Sequence, residues 1–427
     1  MMHKWIFNIG QRLRNPSMTQ WTQFLLNSEQ WSQKELEEYQ LNKLKELVTF
    51  AYHHSVFYKE QMDAVSFHPK ELESLQDLEK LPILTKEILL AQNTRIHTNF
   101  PFKKKFLAAT SGSSGNSLAF YRDESADSFN RASMCRGYSW YHVKPWERNG
   151  YFWGFNFSFL NRLKMQILDR LQNRFRIFKY DDEDFEIFVK KLKKARYLHG
   201  YSSMIFESAK LLNQKQLPKP NRLKMVKGTS EKILDSYQDE VMQAFGCPII
   251  SEYGATESGI IAFECPEGKM HINMEGVIVE EINNEIVVTN LQMKSFPVIR
   301  YKLGDYIELA AKDELCKCGR EHRILNEVTG RIGANVYGKV NMYPSLYFYY
   351  IFKNLSINHQ LKLTYLVEQR DKGVLQFYIL EEILSEEKQL LEKEIVKYFG
   401  SDITFTINRL EQKSSNTSKT KSFISYI

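Results

Sequence analysis

The chain has 427 residues, 43% hydrophobic and 13% aromatic, which is more than one core usually supports, so a large domain with a smaller one, or two domains, is expected. Its 58 Lys and Arg against 51 Asp and Glu leave a net charge of +7, a mild bias that suits anionic ligands or a membrane surface. There is no dense basic block of the kind that binds nucleic acid. No apolar run approaches the roughly 20 residues of a bilayer span, and five cysteines over this length do not make a secreted disulfide framework.

The first residues set Trp5, Ile6, Phe7 and Ile9 among Lys4, Arg12 and Arg14. This apolar run is too short for a signal peptide and lacks a cleavage site, so the chain is read as cytoplasmic. The segment reads as a docked helix, with a position on a membrane surface as the alternative. Between Gln33 and Met62, Leu36, Leu44, Leu47, Val48 and Ala51 recur at helical spacing, and the first hundred residues are predicted to be largely helical. His53 and His54 in this run are taken as surface or packing residues. Pro82 interrupts Leu81-Pro82-Ile83-Leu84, and Thr85 offers a cap to a helix starting at Lys86.

Then comes Thr110-Ser111-Gly112-Ser113-Ser114-Gly115-Asn116-Ser117, flanked by Phe106-Leu107 and Leu118-Ala119-Phe120-Tyr121. Glycines let the backbone curl with its N–H groups inward, and hydroxyls add rotatable donors, so the loop can wrap several phosphate oxygens. It is not a P-loop, because no Lys follows Gly115. The same composition also suits a plain surface turn.

A helix is predicted from Ser125 to Tyr141, and a buried aromatic strand from Tyr151 to Phe157. Phe155 and Phe157 would form either plain core or one wall of an apolar acid pocket. Asp181 to Lys194 reads as a charged helix, and Tyr197 to Ser203 as a strand, a glycine turn and a helix cap. A strand over Leu223–Thr229, a helix over Ile233–Phe245 and a strand over Cys247–Tyr253 continue the alternation of a layered α/β fold.

Three later stretches carry chemistry. Tyr253-Gly254-Ala255-Thr256-Glu257 supplies an aromatic face for a purine, a hydroxyl, and a carboxylate oxygen for magnesium. In Phe296 to Asp305, a carboxylate follows a predicted Gly304 turn and can hold both ribose hydroxyls. Thr329-Gly330-Arg331 brings a guanidinium into a predicted turn, fit for a phosphate or ribose oxygen. Separately, Cys265 and His271 from one loop and Cys316 and Cys318 from another could close a four-ligand structural zinc site, reduced surface thiols being the alternative. Cys135 and Cys247 are read as buried.

In this order and spacing the motifs resemble the adenylate-forming superfamily, and within it the phenylacetate–CoA ligase branch that includes the CapK-like capsular polysaccharide proteins. Val48 to Tyr52, Phe57-Tyr58 and Leu81 to Lys86 are similar to that branch's N-terminal signature. His199-Gly200-Tyr201-Ser202-Ser203 resembles its Gly-Tyr-Pro-Ser segment. Tyr253 to Glu257 resembles its Tyr-Gly-small-Thr-Glu motif, Arg300-Tyr301 with Gly304-Asp305 its Arg-Tyr…Gly-Asp motif, and Ser230-Glu231 stands where Gly-Glu is usual.

The resemblance implies a large N-terminal adenylation domain over 1–329 and a small mobile α+β lid over 330–427. It also implies activation of a carboxylic acid by ATP and magnesium to an acyl-adenylate, then displacement of AMP by a thiol or amine. By the same resemblance Thr110, Ser111, Gly112, Ser113, Ser114 and Gly115 hold the β- and γ-phosphates. Tyr253 borders the adenine, with Gly254 and Glu231 in the nucleotide site. Thr256 touches the α-phosphate, Glu257 binds magnesium, Asp305 holds the ribose and Arg331 lies beside it. Phe155, Tyr201 and Gly228 would line the acid pocket. The tail Ser418-Lys419-Thr420-Lys421-Ser422-Phe423-Ile424-Ser425 places the lid's catalytic lysine at Lys419, with Lys421 as the fallback.

The lid itself is expected to hold a helix over Tyr343–Leu355, strands over Lys362–Glu368 and Val374–Leu380, a helix over Ser385–Phe399 and a strand over Ile403–Arg409. Three functions follow: an acid–coenzyme A ligase of the phenylacetate type; a capsule or lipopolysaccharide tailoring enzyme that passes the activated acid or amino acid to a sugar or carrier, in association with a membrane or glycan-assembly site; and a non-catalytic nucleotide-binding protein of the same fold. A dimer is compatible with each.

Overall fold

A computed structural model describes residues 2–110, 117–152, 159–177, 182–231, 233, 235–331, 335–343, 345–361, 363, 365–379, 381–409 and 423–427. The chain divides into two compact units, Met1–Thr110 with Leu118–Gly330, and one whose C-terminal part is Arg331–Ile427.

The first unit begins with helices α1 (Met2–Arg14), α2 (Met18–Ser28), α3 (Gln33–His54) and α4 (Val56–Ala64). The single helical run expected over Gln33–Met62 is in fact two helices. Ser55 ends α3 and accepts the Tyr58 amide at the start of α4, because an extended serine caps better than it continues. Two short helices follow, α5 (Lys86–Ala91) and α6 (Asn93–Ile96). Strands β1 (Lys105–Ala109) and β2 (Ala119–Asp123) then pair as an antiparallel hairpin, ahead of helix α7 (Glu124–Trp140).

The main sheet is built from β3 (Asn149–Phe152), β4 (Arg174–Arg176), β5 (Tyr197–Tyr201), β6 (Met225–Thr229), β7 (Ile249–Ala255), β8 (Gly259–Glu264), β9 (Met270–Ile272), β10 (Val277–Ile282), β11 (Glu285–Asn290), β12 (Tyr301–Leu309) and β13 (Ile324–Arg331). Their spatial order is β10-β11-β12-β13-β9-β8-β7-β6-β5-β3-β4. From β4 to β7 the neighbours run parallel, joined by crossover helices α8 (Phe159–Leu171), α9 (Asp182–Leu192), α10 (Ser202–Gln214) and α11 (Asp235–Phe245). Parallel strands covered by helices must be apolar on both faces, and Val226, Leu198 and Ile249 are fully buried between them. From β7 onward the described pairings are antiparallel, and a second core gathers Leu44, Leu47, Val48, Leu84, Val288 and Tyr301.

The second unit holds the hairpin β14 (Val336–Tyr337) with β15 (Met342–Tyr343), then α12 (Leu346–Asn358), β16 (Tyr365–Asp371), β17 (Val374–Ile379), α13 (Ser385–Phe399), β18 (Thr404–Arg409) and β19 (Phe423–Ser425). Its sheet runs β18-β17-β16-β19, over a core of Phe348, Phe377, Phe399 and Phe423. The fold class is therefore α/β with a smaller α+β unit. Among the described residues, no helix is long and apolar enough to cross a membrane.

Two predicted turns are strands instead. Gly304 and Asp305 lie inside β12, where Leu303 to Asp305 stand opposite Ile286 alone between the pairs Val287–Lys302 and Glu285–Tyr306. Gly304 takes φ +86°, so the glycine serves a bulge that re-aims the strand rather than a chain reversal. Thr329-Gly330-Arg331 closes β13 rather than a loop.

Candidate functional site

Motifs far apart in the chain are hydrogen-bonded to one another. The Tyr58 hydroxyl donates to the Pro297 carbonyl at 2.8 Å and accepts from the Ile299 amide at 3.1 Å. The Leu84 amide donates to the Arg300 carbonyl at 2.8 Å, and the Lys302 amide to the Leu84 carbonyl at 2.8 Å. Arg300 itself is buried at φ +51°. Its guanidinium donates to Glu280 Oε1 at 2.8 Å and to the carbonyls of Glu79 and Leu81 at 2.9 and 2.6 Å. This motif arginine is thus a clamp between β10 and the Leu81-Pro82 segment. Its left-handed backbone is held by bonds at both ends of the residue.

That clamp sets β12, and with it Asp305. The Tyr253 hydroxyl donates to Asp305 Oδ2 at 2.8 Å, joining the end of β7 to the bulge of β12. A second irregularity places the tyrosine: Tyr253 pairs with Ala262 but Gly254 with Ile260, so β8 carries Ile261 as an extra residue. A Cβ on Gly254 would lie 2.5 Å from the Gly259 carbonyl, so only glycine permits this approach. Just beyond β7 is the turn that holds Thr256 and Glu257, the latter 3% exposed. Asn290 Nδ2 fixes that turn by donating to the carbonyls of Glu257 and Ser258 at 3.4 and 3.0 Å.

The hydroxyl- and glycine-rich loop joins β1 to β2. Its base is closed by Thr110, whose amide donates to the Leu118 carbonyl and whose hydroxyl accepts from the Leu118 amide, each at 2.9 Å. Ser111, Gly112, Ser113, Ser114 and Gly115 lie outside the described residues. The hairpin is tied to the Thr256 turn by Arg122 on β2. Its side chain is 12% exposed, pairs with Asp127 Oδ1 at 3.4 Å and donates to the Thr256 carbonyl at 2.5 Å. Asp123 anchors the other side, its carboxylate accepting the amides of Lys294 and Ser295 at 3.1 Å each. Sequence reasoning missed Arg122. The signal available was an arginine immediately before the helix cap Asp123, five residues after the loop.

Glu231 reaches α10, where Oε2 accepts the Ser203 amide at 2.8 Å, a carboxylate capping the positive end of a helix. Gly228 faces the same helix end: a Cβ there would lie 2.4 Å from Ser202 Oγ. Half-buried Tyr201 precedes α10, and Gly200, at φ +139°, runs so close to Phe152 that a Cβ would meet its carbonyl at 2.3 Å. Phe155 and Phe157, and the tail lysines Lys419 and Lys421, lie outside the described residues. Arg331 ends β13.

Behind β5 to β7 lies a buried polar cluster. Lys227 Nζ meets Glu252 Oε1 at 2.6 Å, with both side chains almost fully buried. His199 stacks on Tyr151, and its Nε2 lies 3.2 Å from Asn149 Oδ1. Burial, then the nearby Lys227, Arg174 and Arg176 charges, push the His199 pKa well below the usual histidine value, so the ring is neutral. A lone Lys in the apolar strand Met225-Val226-Lys227 and a Glu in the next strand were the sequence trace of this pair.

The four predicted metal ligands converge. The ligand atoms of Cys265, His271, Cys316 and Cys318 all lie within 4.8 Å of one another. Cys265 Sγ is 3.7 Å from Cys316 Sγ, and Cys318 Sγ is 3.2 Å from His271 Nε2. Zinc–sulfur bonds of about 2.3 Å at tetrahedral angles put sulfurs about 3.8 Å apart, so the donor set fits zinc. His271 Nδ1 faces the His322 carbonyl at 3.2 Å, which only accepts, so Nδ1 carries the proton and the Nε2 lone pair is turned to the sulfurs. Gly268 and Gly319 take φ of +74° and +82°, the reversals that fold each cysteine loop back on itself.

No family model matches the chain. Protein CapK of Staphylococcus aureus is 24% identical over 294 residues, which is 64% of this chain and 63% of CapK, less than two thirds of that protein's length. Among solved structures, 2-hydroxyisobutyryl-CoA ligase in complex with 2-HIB-AMP and CoA in the thioesterification state aligns with a TM-score of 0.62. It is 16% identical, over 93% of this chain and 91% of that one. The open conformation of the same ligase gives a TM-score of 0.57 at 16% identity over 92% of each chain. The chain therefore has the fold of the adenylate-forming enzymes, and its sequence likeness lies toward the CapK-like branch.

Proposed function

From an adenylate-forming fold, we propose that this chain activates a carboxylic acid with ATP and passes the acyl group to the thiol of coenzyme A. The observation that carries the reading is the Tyr253–Asp305 hydrogen bond beside the Thr256–Glu257 turn, with Arg122 joining that turn to the glycine-rich hairpin. A nucleotide needs such convergence: a ring face, a ribose acceptor, and donors for phosphate contributed by separate segments. The 2-hydroxyisobutyryl-CoA ligase of the same fold is described with an acyl-AMP and CoA, which supports the same order of steps here.

In this reading the acid's carboxylate attacks the α-phosphorus of ATP, the bond to the β-phosphate oxygen breaks, and pyrophosphate leaves. The thiol then displaces AMP from the acyl carbon. Phosphoryl transfer of this kind depends mainly on positioning and charge stabilisation. Thr110 to Gly115 supply donors to the β- and γ-phosphates, and Thr256 lies at the α-phosphate. Asp305, oriented by Tyr253, takes the ribose hydroxyls, and Arg331 lies beside them. Glu231 and Gly254 shape the adenine side. Glu257 would hold magnesium, which supplies positive charge against the phosphates. Phe155, Tyr201 and Gly228 bound the acid pocket, which suits an aryl or small apolar acid of the phenylacetate type. Residues 330–427 act as a lid that brings Lys419 to the α-phosphate. Cys265, His271, Cys316 and Cys318 hold a structural zinc, because four protein ligands leave no open position.

A second reading rests on the likeness to CapK: the acceptor is a sugar-linked amine or a carrier rather than coenzyme A. Pyrophosphate release measured across a panel of carboxylic acids, with and without coenzyme A, separates the two. Acid-dependent release with consumption of coenzyme A supports the first. Release indifferent to coenzyme A, with transfer to a sugar amine, supports the second. No release with any acid, alongside ATP binding, leaves a nucleotide-binding protein of this fold.

A further inference from the structure

Among the described residues, two helices that touch each other, α1 and α8, each carry an exposed apolar stripe. Helix α1 packs through Phe7, whose ring centre is 5.6 Å from that of Trp146, and through His3, whose Nδ1 lies 3.3 Å from the Leu171 carbonyl at the end of α8. The opposite face of α1 carries Met2, Trp5, Ile9 and Leu13. Their i, i+3, i+7, i+11 spacing makes one stripe, and their exposures are 64%, 68%, 37% and 74%. The helix is docked, as its sequence suggests, but by its less apolar side.

Helix α8 repeats the pattern. Leu163, Ile167 and Leu171 stand at i, i+4 and i+8 and are 50%, 55% and 44% exposed. The contact of His3 Nδ1 with the Leu171 carbonyl sets the start of α1 beside the end of α8. Among the described residues of the two helices, the exposed charges have one sign. Helix α1 has Lys4, Arg12 and Arg14 and no acidic residue, and α8 has Lys164 and Arg170. The carboxylate of Asp169 on α8 is buried against Arg174 and Arg176. Arg14 reaches Asp127 at 4.0 Å, whereas Arg12, Lys164 and Arg170 have no acidic partner among the described residues.

We propose that this face docks on an anionic lipid bilayer, with α1 and α8 lying in the plane of the headgroups. Apolar stripes flanked by bases are what such an interface takes up, and a tryptophan places its ring at the boundary of apolar and wet. A second copy of the chain is the poorer occupant, because α1 facing its own image would set like charges against each other. Crossing the bilayer is excluded for α1: 13 residues rise about 20 Å, against a core of about 30 Å.

The test is co-sedimentation of the full chain with vesicles of phosphatidylcholine alone, and of phosphatidylcholine containing one third phosphatidylglycerol. Binding is expected to the anionic vesicles only, and to weaken in 0.5 M salt. Trp5→Glu with Leu13→Glu, and separately Leu163→Glu with Ile167→Glu, should each lower the partition about tenfold or more. Their melting temperatures should stay at the wild-type value, since the replaced side chains face solvent. Should either pair disturb folding, Arg12→Glu with Arg170→Glu reads the charge contribution alone. Equal binding to neutral vesicles, no binding to either, or retained binding by folded variants overturns the proposal. A concentration-dependent dimer abolished by the same substitutions gives the face to a second copy instead.

Discussion

The Tyr253 hydroxyl donates to the Asp305 carboxylate at 2.8 Å, and this one contact orients the carboxylate proposed to take the ribose. Hydrogen bonds to a charged group contribute about 1.5–3 kcal/mol, so Tyr253→Phe should raise KM for ATP about tenfold with a smaller change in kcat. Asp305→Asn should raise it further, by about a hundredfold, because the acceptor charge itself is lost. Steady-state pyrophosphate release against ATP concentration measures both. His199 gives a prediction in pH. Its folded pKa is depressed, so below the unfolded value of about 6.5 the unfolded chain binds a proton that the folded chain refuses. The contribution is whole above pH 6.5 and is lost as pH falls toward the folded pKa. Chemical denaturation from pH 7.5 to 5 should show stability falling less steeply in His199→Gln than in the wild type. Tyr253, Thr256, Glu257 and Asp305 stood out in the sequence because they lie in recurring glycine-containing motifs, and the structure sets Tyr253 against Asp305. Arg122, Lys227 and Glu252 were not, because their meaning lies in partners more than 20 residues away that no local pattern reveals.

At the level of elements, the glycines of the motifs were visible but their work was not. Gly304 was read as a turn, and Gly330 as the middle of one. At Gly304 a bulge needs the same permissive residue as a turn, and only the pairing of β12 with β11 distinguishes them. Helix boundaries came close where a cap was present, as in α7, which the Asp123 carboxylate opens by accepting the Ala126 amide. Arg300 joins β10 to the segment before α5 through five donor contacts to Glu280, Glu79 and Leu81. Removing it strands Glu280 at a half-buried site. Arg300→Ala should therefore cost about 3–5 kcal/mol in urea unfolding, and Arg300→Lys should recover only part, since an ammonium cannot fork. The cysteine loops are a second staple. The chain purified without chelator should carry about one zinc per molecule by elemental analysis, and Cys316→Ser should lose it and melt several degrees lower. Metal-free protein with an unchanged melting temperature would refute that reading.

For the molecule as a whole, α/β layering and the smaller α+β unit were both readable from alternating patterns, while the long sheet order was not. β13 inserts between β12 and β9, an arrangement fixed by contacts across the entire first unit. The proposed lid lysine belongs to this scale, because it would act on a nucleotide held by the other unit. Lys419→Ala should reduce pyrophosphate release by about a hundredfold or more while ATP binding, read by equilibrium dialysis, changes little. If Lys421→Ala has that effect and Lys419→Ala does not, the assignment moves two residues along the tail.

The clamp at Arg300 also has a temporal side. The side chain bonds to a carbonyl 219 residues earlier in the polypeptide. At a synthesis rate of 5–20 residues per second, the partner of Leu81 leaves the ribosome roughly 10 to 45 s after Leu81 itself. Throughout that interval the early helices carry apolar side chains whose burial awaits β12. A nascent chain stalled before Pro297 should therefore engage holdase chaperones, and one released past Leu309 should let them go.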